Sequence, residues 1–210
     1  PAAVDLANRG STGRLGRLLA PMGVRYVVVV EADRPVARRR VLAPPDLTEA
    51  LGEQLDLAEV EVDEGIQVFR NDAWFPVRAS LASLDTVTID GAYLQGAADV
   101  DLSGAEPVLP AADGVDRYEG DVGDDVWFSA TASDDWELRV DGQRATRVNG
   151  FGWANAYAVP SAGEATLRYH TPLPLDGSYR SIRVRSTNPE YRIRARRGYI
   201  ATPRRLAGSR

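Results

Sequence analysis

Asp135-Trp136-Glu137-Leu138-Arg139-Val140-Asp141-Gly142-Gln143 is the stretch that decides the fold. Trp136, Leu138 and Val140 alternate with Glu137, Arg139 and Asp141, a period of two that puts the apolar set on one face of a β-strand and the charged set on the other. Asp141-Gly142 follows as the residue pair preferred in a tight type I′ hairpin, where both central positions need positive φ. The same short-period pattern recurs on both sides. It predicts strands over 77–81, 85–89, 98–102, 125–131, 135–141, 143–149, 153–159, 164–170, 179–185 and 191–199, separated by turn signals such as Ser161-Ala162-Gly163. Many short strands with closely spaced turns argue for an antiparallel β-sandwich. Within this half, Ser103–Asp125 has no period and is rich in Gly, Pro and Asp. It carries Asp113, Asp116, Glu119, Asp121, Asp124 and Asp125, and is read as a long acidic loop.

Upstream of Asn71-Asp72-Ala73-Trp74-Phe75-Pro76 the pattern is partly helical. Ser11-Thr12 offers an N-cap, and Leu15, Leu18, Leu19 and Met22 follow at i, i+3, i+4 and i+7 before Gly23. Val24–Val30 reads as a buried strand and Glu31–Pro45 as a polar loop. Asp46 with Glu49 resembles a capping box in front of Leu47, Leu51 and Leu55. Ala58, Val60 and Val62 then alternate with Glu59, Glu61 and Asp63, Glu64-Gly65 turns the chain, and Ile66–Arg70 returns as the second arm of a hairpin. The expected fold class is α+β: a small helix/strand unit over 1–75, then a predominantly antiparallel β-sandwich over 76–172 that includes the loop 103–125. An Arg-rich β-hairpin and tail over 173–210 completes the chain.

Composition narrows the chemistry. The chain has 210 residues, no cysteine and one histidine, His170, which excludes disulfide frameworks, thiol nucleophiles and multi-histidine metal sites. No cofactor or metal is expected. All 25 basic residues are arginine, and the net charge of −5 hides a segregated pattern. Residues 1–42 carry 8 Arg and 3 acids, 43–141 carry 4 Arg and 24 acids, and 166–210 carry 11 Arg and 2 acids. The lysine-free, Ala/Arg/Asp/Val-rich composition fits a GC-rich coding sequence. No run approaches the ~20 apolar residues of a spanning helix, and the first residues lack the charged and apolar regions of a signal peptide. The chain reads as an excised piece of something longer.

Three ordered motifs carry a resemblance. The first is Leu18-Leu19-Ala20-Pro21-Met22-Gly23-Val24-Arg25-Tyr26-Val27-Val28-Val29, and the second is Val68-Phe69-Arg70-Asn71-Asp72-Ala73-Trp74-Phe75-Pro76-Val77-Arg78-Ala79. The third runs from Asp135–Gln143 through Asn149-Gly150-Phe151-Gly152-Trp153-Ala154-Asn155-Ala156-Tyr157 to Val159–Gly163 and Thr166-Leu167-Arg168-Tyr169. Together, over about residues 12–172, they resemble the extracytoplasmic carboxy-terminal region of YfhO-like and actinobacterial family 2 glycosyltransferase-type polytopic membrane proteins. The last twenty-five or so residues instead resemble the end of a β module found with von Willebrand factor A-type domains. The resemblance implies a non-catalytic extracytoplasmic accessory domain of a membrane-bound, glycosyltransferase-like protein of cell-envelope glycan assembly. It would sit on the outer face of the plasma membrane, with the membrane domain of the parent protein and a lipid-linked or cell-wall glycan as partners.

The residues themselves offer few reactive groups. No G-x-S-x-G, P-loop or Rossmann glycine pattern is present, so no catalytic residue is assigned. Asp113–Asp121 lacks the D-x-[DN]-x-[DN]-G spacing of a calcium loop and reads as solvated. His170 reads as a surface residue. Trp136 is expected in the core. Trp153 and Tyr157 share a strand face after the flexible Asn149–Gly152, and are read either as core or as a glycan-stacking or lipid-edge pair. Arg183 and Arg185 alternate on one strand, and Arg192, Arg194 and Arg196 on another. Paired, they would form a guanidinium ribbon for phosphate, carboxylate or anionic lipid, or simply a charged solvent face. Nucleic acid is not an expected partner, because the chain is acidic and carries no recognition motif. The competing function is a secreted or surface carbohydrate- or polyanion-binding β module, with a purely structural interaction domain as a third reading.

Overall fold

Strand β6 (Asp125–Thr131) organises the larger part of the fold, because its alternating side chains are buried on both faces. Val126 and Phe128 point into one apolar cluster and Trp127 into another. The computed structural model describes residues 2–30, 46–63, 66–88, 93–112, 116–170, 176–181 and 198–201. Two compact units are present, Pro1–Tyr169 and His170–Arg210.

The first unit is α+β with a sandwich of antiparallel sheets. Its helices are α1 (Ala2–Asn8), α2 (Leu15–Leu19), α3 (Leu47–Gly52) and α4 (Tyr93–Asp99). Strands β1 (Tyr26–Val30), β2 (Leu57–Asp63) and β3 (Ile66–Asn71) form a three-stranded sheet with β3 in the centre. The first sandwich sheet has the order β4-β6-β10-β9, in which β4 is Arg78–Leu81, β9 Thr146–Gly150 and β10 Ala154–Ala158. The second has the order β5-β11-β7-β8, with β5 Arg117–Val122, β7 Trp136–Val140, β8 Gln143–Arg144 and β11 Gly163–Tyr169. Between the sandwich sheets lies the cluster of Val126, Phe128, Leu138, Val140, Tyr157 and Leu167. The other face of β4-β6-β10-β9 joins a second cluster with the helices and the small sheet, where Leu15, Leu18, Val29, Leu51, Phe69 and Phe75 meet Ala79, Trp127 and Ala156. That cluster is continuous across residue 75.

A buried polar knot fastens the amino-terminal helices to the small sheet. Ser11 and Thr12 do not cap α2. Thr12 Oγ1 accepts only from the Arg14 N–H, and the free N–H groups of the helix are satisfied from afar. Gln54 Oε1 accepts from Leu15 N at 2.9 Å, while Asp56 Oδ1 and Oδ2 accept from Gly16 N and Arg17 N, each at 2.8 Å. Asn71 Nδ2 donates to the Gly16 and Val24 carbonyls, both at 2.9 Å. Gly16 is required by this close approach, since a Cβ there would lie 2.7 Å from Asp56 Cγ. Asp46 does not cap α3 either: its φ of 63° is left-handed, whereas a capping residue needs extended backbone. Leu55 falls beyond the end of α3 and is exposed.

Most of the expected strands are present, and four readings are corrected. Of the expected strand 85–89, the described residues 85–88 do not form one, because Ser83 Oγ accepts from Asp85 N and starts a 3₁₀ turn over Leu84–Thr86. Residues 98–102 follow or overlap α4, whose Tyr-Leu-Gln-Gly-Ala-Ala-Asp sequence favours helix and buries Ala97 against the amino-terminal cluster. The stretch 103–125 is not wholly loop: it contains β5, and the part before β5 lies along the edge of β4, where Ser80 N donates to Glu106 O at 2.9 Å and Val108 N to Arg78 O at 3.1 Å. Covering an edge in this way blocks pairing with another chain. The predicted strand 143–149 divides at buried Ala145, where the chain passes from the edge of one sandwich sheet to the edge of the other. Asp141 and Gly142 have φ of 48° and 78°, as the type I′ turn demands.

In the second unit, β12 (Tyr179–Ser181) pairs antiparallel with β13 (Gly198–Ile200). The loop 31–45, the turn Glu64-Gly65 and the arginines 183, 185, 192, 194 and 196 lie outside the described residues.

Candidate functional site

Two surfaces of the first unit stand out. The first is the outer face of the three-stranded sheet. Register places Tyr26, Arg70 and Ala58 in one row across it and Val28, Val68 and Val60 in the next. The opposite face, with Val29, Phe69 and Leu57, is buried in the core. Tyr26, Val28 and Ile66 remain 48%, 54% and 39% exposed, as does Val62 beside the β2 irregularity at 54%. Ala58 and Val60 share this outer face as their alternation predicts, but the irregularity after Val60 sets Asp63 opposite Ile66 and ends the alternation before Val62. Charge gathers at one end. The Arg25 guanidinium lies 4.8 Å from the Trp74 ring and 5.7 Å from the Tyr26 ring, and Arg70 Nε bonds Asp72 Oδ1 at 2.7 Å.

The second surface is a cleft of about 320 Å³ where the chain changes sheets. Trp136, Glu137 and Arg144 from β7 and β8 line it together with Asp134, Thr146, Arg147 and the buried Tyr157. Arg147 Nη2 meets Asp134 Oδ1 at 2.6 Å and its Nη1 donates to Asn149 Oδ1 at 2.7 Å. Arg144 Nε lies 3.4 Å from Glu137 Oε2, and Glu137 also pairs with Arg139.

Tyr157 is fully buried between the sandwich sheets, and its hydroxyl donates to the Trp136 carbonyl at 3.3 Å. Burial pushes its phenol above the ordinary tyrosine range, and the positive charges of Arg147 and Arg144 offset only part of that rise. It presents no open ring to a sugar. Trp153 does not share its face. Alternation holds along β10 from Ala154 to Tyr157, but Trp153 precedes the strand, in the turn formed by Phe151 and Gly152 with φ of 48° and 73°, and it packs edge-on to Trp127, ring centres 6.3 Å apart, in the cluster on the other side of the sheet. Trp136 packs against Phe128 and Tyr169 at 4.6 and 5.2 Å, as a core tryptophan does. His170 is exposed. Arg192, Arg194 and Arg196 lie outside the described residues.

Sequence reasoning missed Asp134, Arg144 and Arg147 as neighbours. The available signal was the pair Arg144 and Arg147 flanking Ala145-Thr146, at a point where a seven-residue strand was assumed. Elsewhere, Asp101 is held below the usual carboxylate range by hydrogen bonds from Ser103, with a smaller contribution from Arg17. Among the described residues no three acidic or histidine side chains converge as a metal site would require, and no helix is long and apolar enough to cross a membrane. No family model, curated protein or solved structure matches the chain.

Proposed function

We propose that this chain is a non-catalytic accessory domain, extracytoplasmic in location, of a membrane-bound glycosyltransferase-like protein of cell-envelope glycan assembly. It docks on the membrane domain of that protein through the outer face of its three-stranded sheet. The observation that carries the reading is the contiguous set of Tyr26, Val28, Val60, Ile66 and Val68 on a face that nothing among the described residues covers. Isolated exposed apolar residues are ordinary, whereas a contiguous patch marks an interaction surface. Burying one such valine or isoleucine is worth about 1.5–3 kcal/mol, so a handful suffices to hold a domain against a partner. The resemblance supplies the partner, and the cationic end around Arg25 suits a surface near anionic headgroups.

A photo-crosslinking residue placed at Tyr26 or Val28, in cells carrying the intact gene, tests the reading. The expected product joins this domain to a polytopic membrane segment encoded in the same protein. A parent gene without apolar stretches of about 20 residues, or crosslinks only to non-membrane partners, overturns it.

A further inference from the structure

We propose that the cleft between β7–β8 and β9 is a binding site for a neutral saccharide, held through two adjacent ring hydroxyls. This site is separate from the docking face and does not depend on that reading. Its two arginines and two acids carry no net charge together, which disfavours both a polyanion and a metal cation. Hydrogen-bonding capacity is left over on both sides of the balance. Arg147 is spent on Asp134 and Asn149. Arg144 is 59% exposed along its side chain and has only the long Nε contact to Glu137, so its Nη donors remain open. Asp134 is 89% exposed and takes Arg147 on Oδ1, leaving Oδ2 as a charged acceptor. Thr146 is exposed at the same rim and can both donate and accept.

A hydroxyl is the group that uses such a mixture, accepting from Arg144 while donating to Asp134. Two neighbouring hydroxyls on a rigid ring do so at little entropic cost, and bonds to charged partners are the stronger kind. The anchors are preorganised. Arg147–Asp134 ties β9 to the turn that leads into β7, Arg144–Glu137 links the neighbouring strands β8 and β7, and Tyr157 pins the floor to the Trp136 carbonyl. The cleft volume of about 320 Å³ is at the small end for ligand sites and suits one sugar unit. The half-buried Trp136 ring already packs against Tyr118, Phe128 and Tyr169, which leaves little aromatic surface for stacking, so binding is weak, on the order of millimolar.

Side-chain Nε–Hε resonances of Arg144 and Arg147 in the 210-residue chain report this directly. Titration with methyl α-mannopyranoside, which carries a cis-diol, moves both peaks saturably, while inorganic phosphate at equal concentration does not. Asp134→Asn and Thr146→Ala, both at exposed positions, each weaken the mannoside response, Asp134→Asn by about tenfold. The proposal is overturned if no neutral glycoside from a panel of manno-, gluco- and galactopyranosides moves the peaks. It also fails if phosphate alone does, or if the variants shift the melting temperature and leave the sugar response unchanged. The last outcome would make these charges fasteners of the fold only.

Discussion

In the central sheet β6 buries Val126 and Phe128 on one side and Trp127 on the other, whereas in the three-stranded sheet β3 buries Phe69 on one side and leaves Ile66 exposed on the other. Both strands are apolar, and neither sequence alone says how many faces will be covered. The difference lies in what is stacked on them. The central sheet has the amino-terminal helices and small sheet on one face and β5-β11-β7-β8 on the other. Among the described residues, the small sheet is covered on one face only. An apolar face of similar composition is thus core in one place and a surface available to a partner in the other.

The largest expected effect breaks the covered side of this comparison. Trp127→Ala should cost about 3–5 kcal/mol in urea unfolding, because the indole fills the space between Phe75, Phe151 and Trp153. Val28→Ala on the open face should change stability by less than about 0.5 kcal/mol. Equal losses would mean that the small sheet is covered after all.

The polar knot that fastens the amino-terminal helices to the small sheet comes next. Asp56→Ala leaves the Gly16 and Arg17 N–H groups unpaired at a buried helix end, and should cost about 3 kcal/mol by the same measurement. Gly16→Ala forces a methyl onto Asp56 and Asn71 and should cost about 1–3 kcal/mol. If Asp56→Ala is neutral, the helices are held by apolar packing alone.

The smallest effect is pH dependence at Asp101. Its carboxyl is depressed in the folded state, so its contribution is fully present above the unfolded value of about 3.9 and is lost as pH falls through the lower folded value. The group is half exposed, and solvent screening holds the contribution to a few tenths of a kcal/mol. The stability difference between the chain and Asp101→Asn should therefore shrink below about pH 4 and be constant above pH 5; a difference that grows on acidification would reverse the assigned direction.

Legibility followed the range of the interactions. Strands β6, β7, β10 and β11 and the Asp141-Gly142 turn depend on alternation and local φ preference, and they were readable to within a residue or two. Ser11-Thr12 and Asp46-Glu49 carried plausible capping sequences, but the caps of α2 come from Gln54 and Asp56, about forty residues away. Strand β5 was hidden because Glu119, Gly120 and Asp121 separate its only two apolar residues, Tyr118 and Val122. Of the candidate site, Tyr157 was singled out but faces the core, and its separation from Trp153 turns on where the strand begins: Trp153 belongs to the left-handed Phe151-Gly152 turn and β10 starts at Ala154.

By itself the amino-acid sequence determined the α+β class, the order of most strands and the absence of thiol and multi-histidine chemistry, because these depend on residue type and on patterns a few residues long. Only the tertiary structure decided which apolar face is left open and which charges meet. Alternation marks a face without naming its neighbour, and Asp134 reaches Arg147 only because the chain changes sheets at Ala145.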